Sequence, residues 1–399
     1  MNMIAEPPRP EGRRRALRVT MLGIRGFPDV QGGAEKHVEK LSCALAMLGC
    51  AVEAIVRGGY VPKAQKRWRG IAFTRLWAPR ISGLEAFVHT LLGVLRAAVD
   101  RPDILHIHAI GPAVFAPLAR ALGLRVIVTH HVLNYENEKW GPLARGVLRF
   151  GEWAGMRFAN GRIAVSEGLA AQMARAYRVA VNPIPNGIDR PRLIDSTGTL
   201  QAFGLSSGGY ALSVARIDEQ KRQLDLIAAY ARLKTPPWRL ALVGGADYST
   251  GYANAVAEAA RKTPGVVMLG HQSGDALAEL YCHAGIFVLP SSHEGQPIAV
   301  LEAASYGLAL VLSDIPAHRE LALPGARLIA LGDVAGLARQ LEAYFAAPVP
   351  QRMPAHERDR VLAKHDWLNI AQQTLAVYFD ALSSDGRAVV PAARIKELS

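Results

Sequence analysis

GIFVLPSSHEGQPIAVLEAASYGLALVLS, residues 285–313, reads as strand, loop, helix and strand in succession. GIFVLP is a short apolar run closed by Pro290, and LALVLS is another. Two strands joined through a helix run parallel. The pattern extends upstream through YALSVA (210–215), RLALVG (239–244) and GVVMLG (265–270). Before NPIPNGID (182–189) it occurs again, in LRVTMLGI (17–24), AVEAIV (51–56), DILHIH (103–108) and RVIVTH (125–130). Such alternation predicts an α/β chain with two doubly wound parallel sheets, helices on both faces of each, and a Pro/Asn/Gly hinge between them. The 399 residues also exceed what one core usually serves. The expected organisation is a tail at 1–15, Rossmann-like domains at 16–185 and 186–365, a helix at 366–385 and a tail at 386–399. That helix, within HDWLNIAQQTLAVYFDAL, has Asp366 as its N-cap; its pattern alone leaves open which domain it joins.

Half the residues are apolar and a fifth are charged, as in an ordinary soluble chain. Cys43, Cys50 and Cys282 show no CxxC spacing and suit a reducing compartment. The polar, Pro-rich MNMIAEPPRPEGRRR lacks the apolar segment of a secretory signal. No uncharged stretch reaches the roughly 20 apolar residues of a membrane helix. A cytoplasmic protein is expected, soluble or peripheral at the inner membrane face. The net charge of +12 is unevenly placed. Residues 1–188 hold 26 Lys/Arg against 13 Asp/Glu, giving +13, and residues 189–399 hold 20 against 21, giving −1. From Arg57 to Arg80 seven basic residues occur with no acidic one, interleaved with Tyr60, Trp68 and Trp77. That composition suits an anionic membrane surface or a phosphate-bearing substrate; a solvated loop with anchoring aromatics fits it equally. No nucleic-acid-binding module is present, so no nucleic-acid partner is expected.

Open parallel sheets bind ligands at the carboxyl ends of their strands, where Ser291–Gln296 falls. Pro297 is expected at the first helical position. The N–H groups of Ile298 and Ala299 then form an anion site at the positive end of a helix, and Gly295 permits close backbone approach. Glu294 and Glu302 flank that site. A carboxylate within IAVLEAA is costly unless paired, and two vicinal hydroxyls of a ligand would pair it. The competing reading, a surface residue and an ordinary helix charge, suits those apolar surroundings poorly. In SVARIDEQKR (213–222), Arg216 follows a strand and Lys221 begins the next helix, so both cations can face a diphosphate. In GIRGFPDVQGGAEKHVEKL (23–41), Gly32 and Gly33 precede a helix over Ala34–Gly49 and let a phosphate reach backbone N–H groups. The loop fits neither GxGxxG nor the P-loop, so hydride and phosphoryl transfer lose support. In VTHHVLNYENEKWG (128–141), His130 and His131 alternate sides, so at most one of them faces the cleft. His106 and His108 share one strand face, but no third ligand has suitable spacing; structural roles are favoured and no metal is expected. No DxD clasp exists anywhere in the chain.

Together these residues resemble the family 4 glycosyltransferases of the GT-B fold, over about Leu17 to Leu382. The most specific element is E-x7-E, Glu294 to Glu302, within PSSHEGQPIAVLEAASYG; the GGAE loop, the Arg216/Lys221 pair, NGID and the terminal W-x-x-x-A helix support it. The general likeness is to bacterial enzymes of exopolysaccharide and O-antigen assembly, through SDIPAHREL and the KWGPLAR region. The resemblance implies retaining, metal-independent transfer from a UDP- or GDP-sugar, with no cofactor. By position it implies that Arg216 and Lys221 hold the diphosphate and that Glu294, with the backbone of Gly295 and Gln296, holds the donor sugar. Ile298 and Ala299 would meet the phosphate and Glu302 the ribose. Gly33 would lie near phosphate or acceptor, His131 beside the transferred sugar, and the last helix would return to the first domain. The base pocket would include His271–Asp275. Gln296–Pro297 departs from the commoner Phe-Gly or Leu-Pro, which leaves the sugar open. The implied acceptor is a polyprenyl-diphosphate-linked glycan, with an anionic membrane surface as a further candidate partner. A catalytically silent sugar-binding scaffold and a GT-B epimerase are the rival readings.

Overall fold

The computed structural model describes residues 15–79, 81, 83–132, 141–234, 236–246, 250–346 and 352–383. The expected tails lie outside these apart from Arg15, as do Arg80 and residues 133–140 of the histidine segment.

The first sheet contains β1 (Arg18–Leu22), β2 (Ala51–Arg57), β3 (Arg67–Trp68), β4 (Ile71–Leu76), β5 (Ile104–His108), β6 (Val126–His130), β7 (Gly161–Ala164) and β8 (Asn182–Pro183). Their spatial order is β3-β4-β2-β1-β5-β6-β7-β8, and only the β3–β4 pair is antiparallel. The second sheet holds β9 (Tyr210–Val214), β10 (Arg239–Val243), β11 (Val266–Gly270), β12 (Ile286–Leu289), β13 (Ala309–Ser313) and β14 (Arg327–Ile329). Its order is β11-β10-β9-β12-β13-β14, parallel throughout. All nine strands named from the sequence form, within a residue or two of their expected ends.

Central strands such as β5, β6 and β12 are buried along their whole length, which is why their sequences show no alternation. Each sheet has an apolar cluster on both faces, so each is doubly wound. The helix Trp367–Ser383 settles the question left open by its pattern. Ile370, Tyr378 and Leu382 join the core of the first sheet beside Leu41 and Val56. Asp366 caps it as expected, accepting from the N–H groups of Leu368 at 2.9 Å and Asn369 at 3.1 Å. The chain enters and leaves the second half side by side, because the Ile188 N–H donates to the His365 carbonyl at 2.8 Å.

The basic stretch after Arg57 corrects an expectation. It is not an open loop but contains the hairpin β3–β4. Arg57 is nearly buried and paired with Glu85 at 3.2 Å. The Arg75 guanidinium donates to the carbonyls of Pro62, Lys63 and Gln65. Lys63, Lys66, Arg67 and Arg69 stay exposed.

Candidate active site

In both sheets the strand order reverses beside the first strand, at β1/β5 and β9/β12. Ligand crevices form at such switch points. The two carboxyl edges face each other across a cleft of about 1430 Å³. Every residue selected from the sequence lines it: Gly33 and His131 from the first half, and Arg216, Lys221, Glu294, Gly295, Gln296, Ile298, Ala299 and Glu302 from the second. His271, Gln272, Ser273 and Gly274 of the expected base pocket do so too.

On the second half, β12 delivers Ser291–Gln296 into the cleft and the helix Ile298–Ser305 leads away. Pro297 has extended backbone, φ −75° and ψ 107°, and caps this helix rather than occupying its first position. The first-turn N–H groups, including those of Ile298 and Ala299, have no i−4 carbonyl to bond, which leaves an anion-binding end. Glu294 is buried beside Lys221, Nζ to Oε1 2.5 Å, with side-chain exposures of 9% and 14%. Burial alone would raise the Glu294 pKa, but the Lys221 ammonium outweighs it and holds the carboxyl below its ordinary value. Lys221 ends a short 3₁₀ turn, Glu219–Lys221, and the helix proper starts at Gln223. Arg216 lines the cleft on the preceding loop, and its carbonyl accepts from the Gln223 amide at 2.7 Å.

Glu302 is approached from both halves. Its Oε1 pairs with the ammonium of Lys36 from the helix Gly33–Met47, and its Oε2 accepts weakly from the Tyr281 hydroxyl at 3.4 Å. Burial depresses the Lys36 pKa, yet the Glu302 carboxylate overrides this and the net shift is upward. The Tyr281 hydroxyl, buried against the same carboxylate, is pushed well above its usual range. Further contacts cross between the halves, among them two beside the cleft. Lys40 meets Asp189 at 2.5 Å, and the Gln31 amide exchanges bonds with the backbone of Gly245, at 3.1 Å to its N–H and 3.4 Å to its carbonyl.

The glycine-rich loop is braced rather than loose. Arg25 pairs with Glu35 at 2.9 Å and also donates to the Gln31 carbonyl. Gly32 holds φ 151°, and a side chain there would collide with the Glu35 carboxylate and Arg25. Gly295 has another reason to lack a side chain than the expected one. A Cβ would overlap the carbonyl oxygen of His131, so the close approach is made by the opposing half of the protein itself.

His130 and His131 separate as alternation predicts. His130 turns into the core and meets Glu152 at 3.0 Å, while His131 lines the cleft. His106 is a satisfied core residue, bonded to Tyr378 at 2.6 Å and Thr129 at 2.7 Å. Behind His131 lie His108, Nδ1 to His131 Nε2 3.3 Å, and His37, which bonds Asn186 Oδ1 at 2.9 Å. Burial keeps all three neutral, with His37 lowered to about 4 and the other two well below the ordinary value. Asn186 in turn receives Gln296 Oε1 on its backbone N–H, at 2.5 Å, and donates its amide to the Gln296 carbonyl at 2.8 Å. The side chain of Gln296 therefore faces the hinge, leaving its backbone N–H as the group the resemblance assigns to a sugar. Lys36, His37, Gln31, Asn186 and Tyr281 escaped the sequence reading. Only Asn186, inside the hinge motif NGID, carried any signal.

Residues 31–192 match the sequence profile of Glycosyltransferase Family 4, and residues 209–346 that of Glycosyl transferases group 1. Alpha-maltose-1-phosphate synthase of Mycobacterium tuberculosis is 30% identical over 392 residues, covering 91% of this chain and 99% of its own. The chain belongs to glycosyltransferase family 4. GDP-mannose:cellobiosyl-diphosphopolyprenol alpha-mannosyltransferase of Xanthomonas campestris is 32% identical over 173 residues, 40% of this chain and 43% of its own. Among solved structures, Anabaena HepE in complex with UDP and glucose superposes with a TM-score of 0.74 at 17% identity, covering 91% of this chain and 99% of that one. The expected GT-B fold of family 4 is thus the observed one, and the transferase reading replaces the scaffold and epimerase readings at the level of family.

Proposed function

We propose that this family 4 enzyme moves a hexosyl group, with retention, from a nucleotide-diphosphate sugar to a polyprenyl-diphosphate-linked glycan in cell-surface polysaccharide assembly. The observation that carries the donor half is the helix end at Ile298–Ala299 set between two carboxylate–lysine pairs, Glu294–Lys221 and Glu302–Lys36. A helix end with the Lys221 cation beside it takes a diphosphate, while Lys36 is only the resting partner of Glu302. Glu302 exchanges Lys36 for the ribose hydroxyls, and Glu294 holds the sugar. As the glycosidic bond breaks, negative charge grows on the departing diphosphate, where Arg216, Lys221 and the helix end meet it. The acceptor hydroxyl attacks from the same face and passes its proton to the leaving phosphate oxygen. Neither glutamate acts as a nucleophile.

The acceptor half rests on the first half of the chain. The helix Pro142–Phe158 exposes Leu143, Val147, Phe150 and Trp153, together with Arg149 and Arg157. The helix Leu84–Asp100 exposes Phe87, Leu95 and Val99. Both helices pack on the turn Pro112–Phe115, where the Phe87 ring lies 4.7 Å from that of Phe115. Apolar stripes flanked by arginines suit the interface of an anionic bilayer, where a polyprenyl acceptor resides. This surface supports peripheral membrane association better than the basic stretch that begins at the nearly buried Arg57. No helix among the described residues is long and apolar enough to cross a membrane.

Calorimetric titration with UDP and with GDP, without added metal, tests the donor half. Binding of one nucleotide that weakens in Glu302→Ala is expected; no binding of either, or equal binding by the variant, overturns the site. Flotation with anionic vesicles at low salt tests the surface, with loss expected in Phe150→Ser/Trp153→Ser.

A further inference from the structure

Three histidines meet behind the cleft from separate parts of the chain. His37 lies on the helix Gly33–Met47, His108 ends β5 and His131 follows β6. One ring nitrogen from each lies within 4.8 Å of the other two. The separation of His108 Nδ1 and His131 Nε2, 3.3 Å, matches that of two imidazole nitrogens on one tetrahedral ion, about 3.3 Å for bonds of 2.0–2.1 Å.

The surroundings orient the rings. The Asn186 amide nitrogen donates to Gln296, which turns Oδ1 toward His37 Nδ1 at 2.9 Å. An acceptor at that position puts the His37 proton on Nδ1 and leaves Nε2 with a lone pair. Metal-bound imidazoles are held by such outer contacts. His108 Nε2 is buried without a hydrogen-bond partner, and the bond between its Nδ1 and His131 Nε2 is one that a metal ion would replace, with loss of the shared proton. His131 lines the cleft and gives the cluster its route to solvent.

We infer that His37, His108 and His131 form a three-histidine site for a divalent transition-metal ion of the zinc and cobalt class, its remaining position open to the cleft. The sequence expectation of no metal weighed His106 and His108 as a pair; the three-histidine site leaves His106 aside and joins His108 to His131 and to His37, which lies 71 residues before His108. Imidazole selects such ions over magnesium and calcium, which need oxygen ligands. The site is distinct from the diphosphate cradle. If the donor reading is correct, zinc at His131 also blocks sugar transfer.

Cobalt titration of the full chain, followed by the visible absorption of tetrahedral Co(II), tests the site without reference to activity. A single equivalent should bind, be displaced by zinc and be indifferent to magnesium. The band should vanish in His37→Gln and in His131→Gln, with folding checked by circular dichroism. Asn186→Ala, which keeps all three rings, should weaken binding about 10- to 100-fold. No tetrahedral band in the native chain, or a band that survives both histidine substitutions, overturns the proposal. Nucleotide calorimetry reports on the donor site separately, so either reading can fail alone.

Discussion

The two walls of the cleft are built in opposite ways. The second-half wall is local: Glu294, the helix end and Glu302 come from one strand–loop–helix passage, with Lys221 the main outside contributor. The first-half wall is composite. Its three histidines come from a helix and two strand ends, and Asn186 arrives from the hinge to orient one of them. A wall set by local geometry carries its roles in adjacent residues, whereas a composite wall exists only once the sheet has placed its strands.

The largest expected effect falls on the local wall. Lys221→Ala should lower kcat by about 10²–10³ and leave Glu294 buried without its cation, so thermal unfolding should also fall. Near-native turnover in that variant would remove Lys221 from the leaving-group site. Glu302→Ala should weaken nucleotide binding by about 10- to 100-fold, the worth of hydrogen bonds to a charged group, as read by calorimetry.

The composite wall should reveal itself through acid. His37 titrates at about 4 in the folded chain against 6.5 ordinarily, and His108 and His131 are also lowered. Below pH about 6.5 the unfolded chain binds protons that the folded chain refuses. Stability is therefore fully present above that pH and lost as pH falls toward 4, by about 1.4 kcal/mol per pH unit for each such proton. Urea midpoints between pH 7 and 5 should show the slope, and His37→Asn should reduce it. A flat profile would mean that the cluster protonates as freely as exposed histidines.

The smallest effect tests the bridge between the walls. Lys36 occupies the carboxylate proposed for the ribose, in a partly exposed pair. Lys36→Met should tighten nucleotide binding by up to about fivefold, the worth of such a pair. A loss of affinity would instead make Lys36 a direct ligand of the nucleotide.

The same contrast explains what could be read beforehand. Fully buried parallel strands betray themselves as uninterrupted apolar runs, so both sheets were legible. β4, β7 and β14 were not, because IAFTRL, GRIA and RLI mix charge and small residues at lateral positions in their sheets. The second-half wall was legible because its spacing is helical and continuous. Tyr281 and Lys36 were invisible because what matters about them is what they face, and Gly295 drew attention for a reason other than the one the fold supplies.

The terminal helix has a consequence for how the protein is made. Trp367, Ile370 and Tyr378 complete the core around β1 and β2, yet they are among the last described residues of the chain. Roughly 180 residues separate Ile188 from Asp366, and at about 5–20 residues per second a ribosome needs about 10–40 s to supply them. Throughout that interval the first sheet waits with one apolar face unfinished while the second sheet is synthesised and can close. The half that begins the chain is the last to be sealed.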